Sequence, residues 1–297
     1  MDKPRWSRGR SLLPAGLVAL AALAAGWLGP SACQGDDAEM LSLNVAGTQV
    51  YLHHFAPEAS GTKAALLLIP GWPAVGEDVL GLGTGLSGRG IHVFVLHPRG
   101  HDPSGGNATF ANALEDVAVA WDWLRSASTT DTYGLDAEVC VLAGYSWGGG
   151  IALAATAQLP SVRRVISIAG SDHGVFIRRV DADPKYREVY REALKSTQAP
   201  SGPVRFDVDA DFEELRHTEQ VHDLVTIAPR LADRDLLIIA GWDDTQVELE
   251  YQVLPFYRAL RASGAEGVRV LSFQDGHGFS TVREQLAQGI RDWMILP

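Results

Sequence analysis

Cysteine is almost missing from this chain: Cys33 and Cys140 are the only two among 297 residues. Two thiols so far apart, in unlike surroundings, make neither a disulfide framework nor a zinc site. Basic stripes are missing as well. Lys and Arg are scattered and outnumbered, 25 against 36 acidic residues, for a formal net charge of −11. Nothing there tracks a phosphate backbone, so no nucleic-acid partner is expected, and the acidity bears on solubility. No internal repeat, low-complexity tract, dinucleotide-binding loop or metal-ligand constellation occurs, so no cofactor and no metal are expected. What remains is a hydrophobic fraction of 46%, ordinary for a packed globular body, on a chain long enough for one large domain or two small ones. Cys140 sits in the apolar run Glu138–Ala143 and reads as a buried, inert thiol.

The N-terminus has the layout of an address. Lys3, Arg5, Arg8 and Arg10 precede an uncharged, Ala- and Leu-rich run from Ser11 to Ala32. This reads as a signal peptide over residues 1–32, with a membrane-spanning anchor as the competing reading. The segment Pro30-Ser-Ala-Cys33 resembles a bacterial lipoprotein box, with Pro30 where an aliphatic residue is usual. That resemblance implies export and lipidation at Cys33, hence a lipid anchor in a bacterial membrane; without the lipid the protein would be secreted or periplasmic. Residues 33–40 read as a polar tether.

From Leu41 to the end, one domain is expected. Leu41–Val45 and Gln49–Phe55 flank Ala46-Gly47-Thr48 as an opening hairpin. Solid apolar runs at Ala64–Ile69, Ile91–Leu96, Glu138–Ala143, Arg164–Ala169, Asp235–Ala240 and Val268–Phe273 read as buried strands. Phe110, Leu114, Val117, Trp121 and Leu124 recur at helical spacing, and further helices are expected near 151–158, 247–262 and 281–294. Such alternation predicts an α/β fold, a mostly parallel twisted sheet with helices on both faces, whose chemistry lies beyond the carboxyl ends of the strands. Residues of about 172–231 exceed what a crossover needs and are expected to form an inserted helical cap. Asp183-Pro184 opens one helix there, and a second is expected over 211–225.

The strand ending at Ala143 runs into Gly144-Tyr-Ser-Trp-Gly148 and then into a helical stretch. Strand before, helix after and glycines around the serine describe a nucleophile elbow, which projects Ser146 from the sheet. On these residues the chain resembles the α/β-hydrolase superfamily of serine hydrolases, including dienelactone hydrolase and prolyl-oligopeptidase-type catalytic domains. The resemblance covers most of residues 41–297 and implies an acid and then a histidine later in the chain, each just past a strand. His277, in Asp275-Gly-His277-Gly-Phe279, matches the histidine. His97, His101 and His173 also follow strands, but they precede the favoured acid. Asp244, in Gly241-Trp-Asp-Asp244, matches the acid; Asp172 is its competitor and Asp243 reads as a turn former.

The resemblance also implies an oxyanion site of two backbone N–H groups. Trp147 follows the serine, and Trp72 lies in Pro70-Gly71-Trp72-Pro73, similar to the family's His-Gly-x-Pro loop with Pro70 replacing the His. His97-Pro-Arg-Gly-His-Asp-Pro-Ser104 resembles another family landmark and reads as structural. The implied activity is hydrolysis of a small-molecule carboxylic ester through an acyl-enzyme. A serine peptidase or amidase on the same fold and a catalytically silent binding module are the alternatives. Membrane contact is expected only through the N-terminal lipid, and oligomeric state is left open.

Overall fold

The computed structural model describes residues 38–57 and 63–295. The leader over 1–32, Cys33 and the tether as far as residue 37 lie outside the described residues. Residues 38–40 of the expected tether are in fact strand: β1 (Ala38–Val45) starts three residues early, because pairing with β2 (Thr48–Phe55) runs to Ala38 opposite Phe55. Ala46 and Gly47 make the turn with positive φ, 48° and 81°.

β2 lies antiparallel to β4 (His92–His97). From β4 the sheet is parallel through β3 (Ala65–Ile69), β5 (Val141–Tyr145), β6 (Arg164–Ile168), β7 (Asp235–Gly241) and β8 (Val268–Phe273). The order is β1-β2-β4-β3-β5-β6-β7-β8. The solid apolar runs follow from burial on both faces. Along β3, Ala65, Leu67 and Ile69 join one core cluster while Leu66 and Leu68 join the other, as alternating side chains must.

Helix α1 (Leu82–Ser87) and the C-terminal α10 (Arg283–Ile295) cover one face. On the other face lie α2 (Phe110–Leu124), α4 (Trp147–Thr156) and α9 (Leu254–Ala262). Helix α3 (Ala127–Tyr133) follows α2 directly. The short α1 and α3 have no expected counterpart, since neither is long enough to show a hydrophobic period.

The inserted segment is helical. Its members are α5 (His173–Ala182), α6 (Pro184–Lys195), α7 (Val208–His222) and α8 (Leu224–Ile227). Helix α5 was not anticipated; it is capped by Asp172, whose Oδ1 accepts the Val175 N–H at 2.9 Å. Helix α7 starts at Val208 rather than 211, because Asp207 caps it by accepting the Asp209 and Ala210 N–H groups at 3.0 and 2.9 Å. The segment also caps the body: Glu214 of α7 accepts the first N–H groups of α2, from Phe110 and Ala111, at 3.0 and 2.8 Å. No helix among the described residues is long and apolar enough to cross a membrane.

Candidate active site

Ser146 sits at the hinge between β5 and α4 with φ 54° and ψ −120°, a conformation that costs a non-glycine residue about 1–3 kcal/mol. Backbone hydrogen bonds hold it there. Its N–H donates to the Ile168 carbonyl at 2.9 Å, and its carbonyl accepts the Gly149 and Ser171 N–H groups at 2.9 and 3.0 Å. The turn closes only because its neighbours lack side chains. A Cβ on Gly148 would lie 2.3 Å from the Pro70 carbonyl oxygen and 2.5 Å from that of Ile69.

The same contact brings the loop after β3 against the elbow. A Cβ on Gly71 would meet that of Ser146 at 3.0 Å. Trp72 therefore follows directly on a residue in contact with the serine, and Trp147 is the first residue of α4, where an amide has no intrahelical acceptor. Pro73, joined to Trp72 by a cis peptide, has no N–H to offer.

His277 and Asp244 arrive from the loops after β8 and β7. These loops are strapped together: the Trp242 N–H donates to the Phe273 carbonyl at 2.9 Å, and the Asp243 N–H donates to the Asp275 carbonyl at 3.0 Å. Asp275 then turns its own loop by accepting the Gly276 N–H at 2.7 Å and both the N–H and O–H of Thr281 at 2.8 Å. In the result, His277 Nε2 is 2.8 Å from Ser146 Oγ, and His277 Nδ1 is 2.8 Å from Asp244 Oδ2. A carboxylate only accepts, so Nδ1 carries the proton and Nε2 is left as the acceptor for the serine O–H. Asp244 is buried, and its second oxygen accepts the Gln246 and Val247 N–H groups at 2.8 and 2.9 Å.

The other candidates lie elsewhere. Asp172 is spent on capping: besides Val175 it accepts the Leu224 N–H at 3.2 Å, and burial raises its pKa to about 6. Asp243 accepts from Gln274 Nε2 at 2.8 Å on the surface. His97 pairs with His53 at 2.8 Å and with the Asp102 carbonyl at 3.0 Å, within the segment 97–104. There Arg99 binds the buried Asp116 through Nε at 2.6 Å and through its backbone N–H at 2.7 Å. Cys140 is buried, and burial pushes its thiol up to about 11, as suits an inert residue. No cluster of three or more metal-ligating side chains occurs among the described residues.

Two features went unread in the sequence. Tyr145, the residue before the serine, donates its O–H to the His277 carbonyl at 3.1 Å while its ring packs on Gly71. It thus touches the loops after both β3 and β8. His101 stands beside the indoles of Trp72 and Trp147, at 5.2 and 5.6 Å between ring centres. Neither contact leaves a local signal, because each joins segments far apart in the chain.

Comparison with known proteins adds descent to this geometry. A family profile described as alpha/beta hydrolase fold matches residues 64–234. No curated protein sequence matches. Among solved structures, Est1E from Butyrivibrio proteoclasticus is similar with TM-score 0.61 at 13% identity, over 86% of this chain and 97% of that one. A 2,6-dihydroxy-pseudo-oxynicotine hydrolase gives TM-score 0.64 at 19% identity, over 87% of this chain and 68% of that one. The acylaminoacyl peptidase of Pyrococcus horikoshii gives 0.61 at 16% identity, over 87% of this chain but 40% of that one. Identities this low speak for the shared fold alone; the profile, spanning more than half the sequence, carries the assignment. The chain belongs to the alpha/beta hydrolase fold family.

Proposed function

We propose that the protein hydrolyses small carboxylic esters by a serine mechanism through an acyl-enzyme. The observation that carries this is the relay of two 2.8 Å contacts, Asp244 to His277 and His277 to Ser146, ending on a strained serine at a helix N-terminus. As Ser146 Oγ attacks the ester carbonyl, His277 Nε2 takes its proton, and Asp244 holds the ring and stabilises the imidazolium. The Trp72 and Trp147 N–H groups receive the developing oxyanion, assisted by the dipole of α4. Collapse expels the alcohol, to which His277 returns the proton. Water then repeats the sequence on the acyl-serine and frees the acid.

Esters are the class this relay serves with least help, since an alcohol leaves more readily than an amine. Amide cleavage is the second reading, favoured by the likeness of Gly144-Tyr-Ser-Trp-Gly-Gly149 to serine peptidases on this fold. A fluorophosphonate probe should label the wild-type protein and not Ser146→Ala, and acyl esters should turn over in the wild type only. Labelling that survives the substitution refutes the assignment, and turnover confined to aminoacyl amides moves the activity to the second reading. We further infer export with lipidation at Cys33 from the basic leader and its apolar run; an intact mass showing an unlipidated N-terminus at another residue refutes it.

A further inference from the structure

The side chains of the two residues assigned to the oxyanion begin a continuous aromatic layer between the elbow and the inserted helices. Trp72 and Trp147 meet edge to face at 5.9 Å, and His101 packs against both. From the inserted segment, Phe206 meets Trp72 edge to face at 4.7 Å. On the far side Phe110 lies 6.4 Å from Trp147, and it carries the layer on to His173 and His222 at 5.1 and 5.0 Å. The segment above is fastened to the layer by one indole hydrogen bond, Trp72 Nε1 to Thr197 Oγ1 at 3.0 Å.

The three imidazoles are the anomaly. His101, His173 and His222 are 0, 4 and 1% exposed, and five of their ring nitrogens are buried with no hydrogen-bond partner among the described residues. The Pro98 and Arg99 carbonyls lie near His101, but neither meets a ring nitrogen in hydrogen-bonding geometry. Folded proteins leave few buried polar atoms unpaired, and five within one layer call for a reason. Burial favours the neutral form of all three rings, the His101 and His222 pKa values falling to about 4 and that of His173 well below its ordinary value. A neutral imidazole offers one donor and one acceptor nitrogen, and a hydroxyl, itself both donor and acceptor, can meet either of them. Flanking indole and phenyl rings match a planar ring by edge-to-face or offset contact.

We propose that this layer receives the acyl part of the substrate, and that this part is a planar ring bearing a hydroxyl group whose hydrogen-bond partner is His101. The proposal rests on Ser146 as nucleophile, since it is the adjoining oxyanion residues that orient the layer toward the ester carbonyl. Trp72 is half-buried, so the layer reaches solvent at that ring, and entry to His101 requires the segment around Thr197 to part from it. His173 and His222, both packed on Phe110, extend the polar lining of the layer.

The test compares methyl 4-hydroxybenzoate with methyl benzoate in the wild type and in His101→Phe, which keeps a flat ring and removes both nitrogens. The ratio of kcat/KM for the two esters cancels their intrinsic reactivities when compared between proteins. It should fall about fivefold to tenfold in the variant, the scale of one lost hydrogen bond. An unchanged ratio overturns the proposal. A measurement independent of the variant's folding uses Ser146→Ala and quenching of tryptophan fluorescence. The hydroxylated ester should bind about fivefold tighter or more than the plain one, and equal affinities overturn the proposal. Failure of the wild type to label would instead overturn the serine-hydrolase reading on which it rests.

Discussion

His101 makes the pH dependence of stability a measurable consequence of burial. It is fully buried, and desolvation is the largest cause moving its pKa from 6.5 to about 4; the nearby Pro98 and Arg99 carbonyls and Asp102 oppose the fall, and the Arg205 cation adds to it. Above about pH 6.5 the ring is neutral in both folded and unfolded chains, and its contribution is complete. Between there and about pH 4 only the unfolded chain takes up the proton, so stability is lost as pH falls, and the loss levels off below the folded value. At about 1.4 kcal/mol per pH unit, the full gap corresponds to about 3 kcal/mol, of which about 2 kcal/mol falls between about pH 7 and about pH 5. Other groups titrate in the same window. His97 and His222, also held to about 4, add to the loss, whereas Asp172, raised to about 6, opposes it. Urea unfolding of wild type and His101→Phe at each pH isolates the single ring by difference. The wild type should lose about 2 kcal/mol relative to the variant on acidification. Stability curves that run parallel across that range would show that the buried ring takes up a proton in the folded chain as readily as in the unfolded one, and the argument from burial would fail.

Three further substitutions probe the machinery itself. Asp244→Asn keeps the shape but turns an acceptor-only group into one able to donate to His277, which favours the wrong tautomer; turnover should fall on the order of 10⁴-fold with the fold intact by circular dichroism. Retained activity would remove Asp244 from the relay. Tyr145→Phe deletes the O–H that meets the His277 carbonyl at 3.1 Å and keeps the ring on Gly71; it should cost about 1 kcal/mol of stability and slow fluorophosphonate labelling, and unchanged labelling would make the contact incidental. Gly148→Ala places a Cβ 2.3 Å from the Pro70 carbonyl oxygen, so the elbow and the loop after β3 must separate; we expect about 1–3 kcal/mol of destabilisation by thermal melting together with loss of labelling.

The parts of this structure that could be read ahead of the coordinates share a physical cause. Strands such as β3 and β5 are buried on both faces, so they appear as solid apolar runs, and the elbow is a local turn whose steric needs are met by adjacent glycines. His277 and Asp244 are recognisable because each follows a strand end and therefore lands at the same rim of a parallel sheet. Signals of that kind lie within a few residues of the group they announce. Boundary differences are local too: α7 starts at Val208 because the capping carboxylate of Asp207 overrides the apolar pattern that pointed to 211.

What could not be read depends on segments that meet only after folding. Asp172 illustrates the limit. By local pattern it is an acid just past a strand and competes with Asp244, yet it is consumed by the Val175 and Leu224 N–H groups, the second of them 52 residues away. The inserted segment shows the same asymmetry. Its existence follows from the length between β6 and β7, but its bearing on the site follows from Thr197 reaching Trp72 and Phe206 meeting that ring edge to face, pairings more than a hundred residues apart. The rim that gathers Ser146, His277 and Asp244 lies at strand ends and is written in local pattern, whereas the side chains that the insertion brings over it are not.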